Sequence, residues 1–161
     1  MDYLIREMNS SEYPLLDEFL YEAIFIPEGV EPPARSIIEL PELQVYVEGF
    51  GNKDDDYCVV AEVADGTLAG AAWVRIMNDF GHVDDETPSL AISLYKQYRG
   101  LGIGTAMLKS LLKLLREKGY SKTSLAVQKA NYAVEMYKKI GYEIVDKNEQ
   151  EYIMTKSLVM T

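Results

Sequence analysis

Hydrophobic and polar positions change period repeatedly along the chain, and each change predicts an element. Residues 3–8 read as a short strand. Asn9, with Glu12 three residues on, then caps a helix whose Leu15, Leu16, Phe19, Leu20 and Ile24 share one face. The run Ile26-Pro27-Glu28-Gly29-Val30-Glu31-Pro32-Pro33 breaks regular structure. A second, shorter helix is predicted over 41–48, opened by Pro41 and followed by Gly49 and Gly51.

Two β-rich runs, 57–63 and 68–77, flank Ala64-Asp65-Gly66-Thr67 and predict an antiparallel hairpin with Asp65-Gly66 in the turn. A polar connection over 78–87 carries Asp79, Asp84, Asp85 and Glu86. Residues 89–95 are then apolar on both faces, as a central strand is. Over 104–118, Met107, Leu108, Leu111, Leu112 and Leu115 recur at helical spacing opposite Lys109, Lys113 and Arg116, with Gly119 as the stop. Residues 123–127 form a strand, and Asn131 caps a helix carrying Ala133, Met136, Tyr137 and Ile140 that Gly141 ends. Runs 142–145 and 152–158 close the chain as a hairpin. The order β-α-α-β-β-β-α-β-α-β-β, with no repeat or linker, predicts one α+β domain over 1–161: a mixed, mostly antiparallel central sheet flanked by helices.

Composition narrows the function classes. A chain of 161 residues, 48% hydrophobic and 26% charged, is long enough to bury roughly 70% of its unfolded surface and is no disordered or low-complexity sequence. One cysteine, Cys58, excludes an intrachain disulfide and reads as an inert core thiol; with a single histidine, His82, no metal site is expected. The first residues have neither a basic segment nor an apolar core, and no window nears the ~20 apolar residues of a membrane span. A cytoplasmic protein, neither exported nor anchored, is predicted. Net charge of −10 argues against nucleic acid as a partner. It also hides a split: residues 1–95 hold 20 acidic and 4 basic side chains, residues 96–161 hold 6 and 12.

The densest chemical signal is Gln97-Tyr98-Arg99-Gly100-Leu101-Gly102-Ile103-Gly104-Thr105, between the central strand and the strongest helix. Glycines let a ligand approach the main chain, and free N–H groups at a helix N-terminus attract phosphate. The Lys-Ser/Thr of a P-loop is missing, and Thr105 replaces the third glycine of a dinucleotide fingerprint. Arg99-Gly100-Leu101-Gly102-Ile103-Gly104 resembles the Arg/Gln-x-x-Gly-x-Gly/Ala loop of the GNAT superfamily of N-acetyltransferases. Asn131-Tyr132-Ala133-Val134-Glu135-Met136-Tyr137 through Gly141-Tyr142 resembles that family's second motif, and the element order resembles its fold.

The resemblance implies acetyl-CoA as cosubstrate and a primary amine of a small molecule or peptide as acceptor, attacked directly in a ternary complex. It implies that the main chain of Ile92, Ser93 and Leu94 bonds the pantetheine arm like an added strand, for which the strands at Ile92 and Leu125 must splay. It implies that Arg99, Gly100, Leu101, Gly102, Ile103, Gly104 and Thr105 hold the pyrophosphate. Asn131 reads either as a helix cap or as a cofactor ligand. Tyr137 would lie near the sulfur and protonate the departing thiolate.

A protonated amine must lose a proton before it attacks, and Glu22, Asp84, Asp85 and Glu86 are the candidate bases, with Glu22 and Glu86 taken as catalytic. His82 reads as a solvated loop residue. The clustered acids Glu22, Glu28, Glu31, Asp84, Asp85 and Glu86 predict a cationic acceptor, whereas Asp54-Asp55-Asp56 reads as solvated charge. A non-catalytic module that senses acyl-CoA is the alternative. The closing strands offer an edge for a homodimer.

Overall fold

The computed structural model describes residues 2–159. They form β1 (Tyr3–Glu7), α1 (Leu16–Ala23), α2 (Pro41–Gln44), β2 (Tyr57–Val63), β3 (Leu68–Arg75) and β4 (Ser89–Leu94). These are followed by α3 (Ile103–Glu117), β5 (Lys122–Gln128), α4 (Ala133–Ile140), β6 (Glu143–Lys147) and β7 (Glu151–Ser157). The order of strands and helices is the predicted one, with 3-10 turns added at Ser10–Leu15, Arg35–Glu39 and Lys96–Tyr98.

The strands build one seven-stranded sheet in the order β1-β2-β3-β4-β5-β7-β6. Neighbours are antiparallel except β4 and β5, which run parallel and pair only at Ser89 and Ser124. Because strand side chains alternate, each face has its own core. On the front, Leu16, Phe19 and Leu20 of α1 with Val47 and Phe50 cover Cys58, Val60, Ala71 and Trp73. On the rear, Ile103, Met107, Leu108, Leu111 and Leu115 of α3 with Val134 and Tyr137 of α4 cover Val59, Ala61, Ala72, Val74, Leu90 and Leu125. Cys58 is buried, as its strand position predicts.

Two helix boundaries differ from expectation. Asn9 N–H donates to Glu12 Oε1 at 2.9 Å as the cap predicts, but the turn it opens is 3-10 through Leu15. Pro14 lies inside that turn and has no N–H with which to extend an α-helical ladder. α2 stops at Gln44, not Glu48, because β3 takes the following carbonyls. Trp73 Nε1 donates to Tyr46 O at 3.0 Å, and Arg75 Nη1 to Val45 O at 3.2 Å and Glu48 O at 2.8 Å.

The expectation that Asp54-Asp55-Asp56 is merely solvated is corrected for two of its members. Asp55 accepts from Tyr120 OH, and the Asp56 side chain is fully buried in a bidentate pair with Arg75, at 3.1 and 3.0 Å. That pair clamps the segment after α2 onto the sheet.

Candidate active site

The site grows from the place where β4 and β5 part. Tyr95 N–H donates to Ala69 O, so in the antiparallel β3–β4 pair Tyr95, Ser93 and Ala91 turn their main-chain groups toward β3. Leu90, Ile92 and Leu94 therefore turn theirs toward β5, which has left the ladder after Ser124. The predicted splay is present, and the main chain of Ile92 and Leu94 borders it. Leu94 O is engaged by Arg99 Nε at 2.9 Å. Ser93 Oγ donates to Phe19 O at 2.7 Å, which holds α1 against the front of β4.

At the wide end of the split stands the glycine loop. Among the described residues, no N–H from Gly100 to Thr105 meets a protein acceptor; the first helical bond of α3 is Ala106 N–H to Gly102 O at 3.2 Å. Gly102 has φ of +84° and caps α3, and no protein atom lies within 4 Å of where its Cβ would stand. Side chains sort differently here: Ile103 is buried in the rear core, Leu101 is exposed, and Gly104 lies against Leu94 Cδ1 and Met136 Sδ. A row of unsatisfied donors at a helix N-terminus, open on one side, attracts phosphate.

Asn131, one residue before the N-cap Tyr132, steadies the start of α4: its Oδ1 accepts from Ala133 N–H at 2.9 Å. Tyr137, on the helix that packs over β5, is 7% exposed, and its ring meets Tyr142 edge-on at 5.6 Å. Burial pushes its phenol above the ordinary tyrosine range.

The candidate bases are not brought together. Glu22 sits at the end of α1, where Arg99 Nη2 approaches its Oε1 at 3.4 Å. Asp84 staples its own loop, accepting from Thr87 Oγ1 and Glu86 N–H at 2.8 Å each and pairing with Lys122 at 3.3 Å; these contacts hold its carboxyl below the usual range. Asp85 pairs with His82 Nε2 at 3.3 Å, and Glu86 is exposed. His82 Nδ1 is buried without a partner, so the ring is not the freely solvated group expected.

The carboxylate nearest the closed end of the split is one the sequence did not single out. Asp79 Oδ1 accepts from Ser89 Oγ at 3.0 Å, and its Oδ2 from Tyr46 OH at 3.2 Å. Gly81, two residues on, leaves no room for a Cβ: one would stand 3.0 Å from Ala126 N and 3.2 Å from Asp79 Oδ2. Ser124 Oγ donates to Gly81 O at 2.8 Å. The loop is thus pressed onto the front of β5 beside Asp79. Burial raises the carboxyl above its ordinary value, against the lowering effect of its two hydroxyl donors.

Further along the front, at the end of β5, a cleft of about 390 Å³ lies between Phe25 and Pro27, after α1, and Gln128, Lys129, Glu149 and Gln150. Among the described residues, no cluster of His, Cys, Asp and Glu is arranged to hold a metal, and no helix is long and apolar enough to cross a membrane.

The model of the acetyltransferase (GNAT) family matches residues 16–142, and the chain belongs to that family. A probable N-acetyltransferase, san, of Drosophila melanogaster is 40% identical over 65 residues, 39% of this chain and 35% of that one. An acetyltransferase of Sodalis glossinidius is 37% identical over 108 residues, 66% of this chain and 69% of that one. The chain thus spans about a third of the first of these relatives and just over two thirds of the second. The PaiA N-acetyltransferase of Thermoplasma acidophilum, solved in complex with coenzyme A, superposes with a TM-score of 0.69 at 24% identity over 98% of this chain and 99% of that one, a likeness of fold.

Proposed function

We propose that the chain transfers an acetyl group from acetyl-CoA to a primary amine by direct attack. The observation that carries this reading is the row of free N–H groups from Gly100 to Thr105, opening onto a split between β4 and β5. These residues fit the cosubstrate. The donors suit a pyrophosphate, Gly102 leaves it room, and the free strand edge at Ile92 and Leu94 matches the amides of an extended arm. Acetyl-CoA supplies an activated acyl carbon and a thiolate leaving group; the chain supplies position and proton transfer.

Tyr137, protonated at neutral pH as any tyrosine is, is the proposed acid for that thiolate. The amine enters from the front, the face that α1 and the segment after α2 cover, toward the closed end of the split. With acids dominating that half of the chain, the acceptor is proposed to be cationic, a small molecule or a peptide, and the setting cytoplasmic. Thiol release from acetyl-CoA, measured across monoamines, polyamines, aminoglycosides and peptide N-termini, tests the proposal. Amine-dependent release with an acetylated product is the expected result. Release with no amine dependence, or none at all, overturns it.

A further inference from the structure

Nothing above provides the proton acceptor that an ammonium substrate needs. The base must stand in front of the split near its closed end, reach substrate from the acceptor side, and be free of an ion-pair partner that would hold its electrons. Glu22 is engaged by Arg99 and Asp84 by Lys122, while Asp85 is exposed on the loop beside His82. Glu86 is exposed on the loop, with no side-chain contact to either strand of the split.

Asp79 meets the requirement. Ser89, whose hydroxyl it holds, is the residue of β4 that makes the one pair with β5, so the carboxylate lies where the two strands part. Ser89 and Ser124 put their hydroxyls 3.4 Å apart on that front face. Gly81 presses the same loop against Ala126 of β5. Tyr46, held by the Trp73 bond to its carbonyl, completes the grip from the segment after α2. Both oxygens therefore have an aimed hydroxyl donor, and among the described residues neither has a cation.

We infer that Asp79 is the catalytic base, taking the proton from the acceptor's ammonium group, with Tyr46 and Ser89 as positioning residues. The inference rests on the N-acetyltransferase reading and names a residue in it. In the step, one N–H bond of the ammonium breaks and the proton goes to Asp79. The freed nitrogen lone pair forms the C–N bond to the thioester carbonyl carbon, and the C–S bond breaks with its electrons on sulfur. Tyr137 gives that sulfur a proton and recovers one from the nitrogen as the amide forms. Asp79 then releases its proton to solvent, so the balance is one ammonium and one thioester to one amide, one thiol and one proton.

The groups that face Asp79 set its titration. Its own loop brings the Gly81 N–H, the segment after α2 brings the Tyr46 hydroxyl, and β4 brings the Ser89 hydroxyl. Glu151 of β7 acts on the same Tyr46. The apolar surroundings raise the carboxyl, and the two hydroxyls lower it. Removing one hydroxyl must therefore raise it further.

The test uses the full chain with Asp79→Asn, Tyr46→Phe, Glu22→Gln and Glu86→Gln, each checked for folding by circular dichroism. With the panel amine that wild type acetylates fastest, Asp79→Asn is expected to lower kcat by about 10²-fold or more and to abolish the acidic limb of the pH profile. Coenzyme A affinity by calorimetry stays within about threefold. Tyr46→Phe moves that limb to higher pH. Carbon-13 NMR of the free protein reads the same two things without turnover: Asp79 titrates above an ordinary aspartate in wild type, and higher in Tyr46→Phe. An Asp79→Asn enzyme with near-native kcat, a limb lost in Glu22→Gln or Glu86→Gln instead, or an Asp79 resonance that titrates normally overturns the inference alone. Wild type that acetylates no amine overturns the N-acetyltransferase reading beneath it.

Discussion

Gly102 and Tyr137 both belong to the proposed cosubstrate site, and each makes a prediction at the level of one side chain. At φ of +84° any other residue costs about 1–2 kcal/mol, a strain the fold can carry. The added Cβ meets no protein atom, so its effect falls on whatever occupies the open side of the loop. Gly102→Val is therefore expected to remain folded and to lose acetyl-CoA affinity by calorimetric titration; unchanged affinity would remove the pyrophosphate from this loop. Tyr137→Phe keeps the ring, its burial and its edge contact with Tyr142, and deletes only the hydroxyl. If that hydroxyl protonates the thiolate, kcat falls about 10²-fold or more with little change in coenzyme A binding. A kcat equal to wild type would return Tyr137 to a packing role.

Among elements, the segment after α2 is the one whose role a linear reading misjudged. Its helical period runs on past Gln44, but the carbonyls of Val45, Tyr46 and Glu48 are taken by Trp73 and Arg75, about thirty positions away, and no local pattern reports a competitor at that distance. Asp56 looked like one of three interchangeable acids, and only the folded sheet shows it buried against Arg75. Asp56→Asn leaves a cation in the interior without its carboxylate, and a loss of roughly 3–5 kcal/mol is expected by urea unfolding. A loss below about 1 kcal/mol would mean that water reaches the guanidinium. Where the signal was local, the sequence was readable: strands β2 and β4, the two glycine stops and the loop before α3 fall within a residue or so of expectation. The family motifs lie in this local class too, and the proposed cosubstrate end of the site rests on them. The proposed acceptor end draws on Tyr46, Asp79 and Ser89, from the segment after α2, the loop before β4 and β4 itself, and only the folded chain brings them together.

On the scale of the whole molecule, the charge split along the chain becomes a split across the sheet. α1 and α2, from the acidic part of the chain, cover the front; α3 and α4, from the basic part, cover the rear. The acids first grouped as one entrance cluster do not act together. Glu22, Asp84 and Asp85 are paired, and the Asp84–Lys122 bridge lies at the opposite end of β5 from the cleft that Pro27 lines, roughly 20 Å away along the strand. Pairing weakens a short-range grip by Glu22, Asp84 and Asp85, and the proposed effect of the charge split is a long-range field, acidic toward the amine and basic toward the phosphates. Such a field acts on encounter and fades as the Debye length shrinks from about 10 Å at 0.1 M salt to about 3 Å at 1 M. Raising salt over that range is expected to lower kcat/KM for a polycationic amine several-fold and to raise KM for acetyl-CoA. A monoamine of similar size should change much less, and kcat should hold for both. Stopped-flow or steady-state assays at matched pH check this. Equal salt dependence for the two amines, or a preference for an anionic acceptor, would leave the acidic front with no part in choosing the substrate.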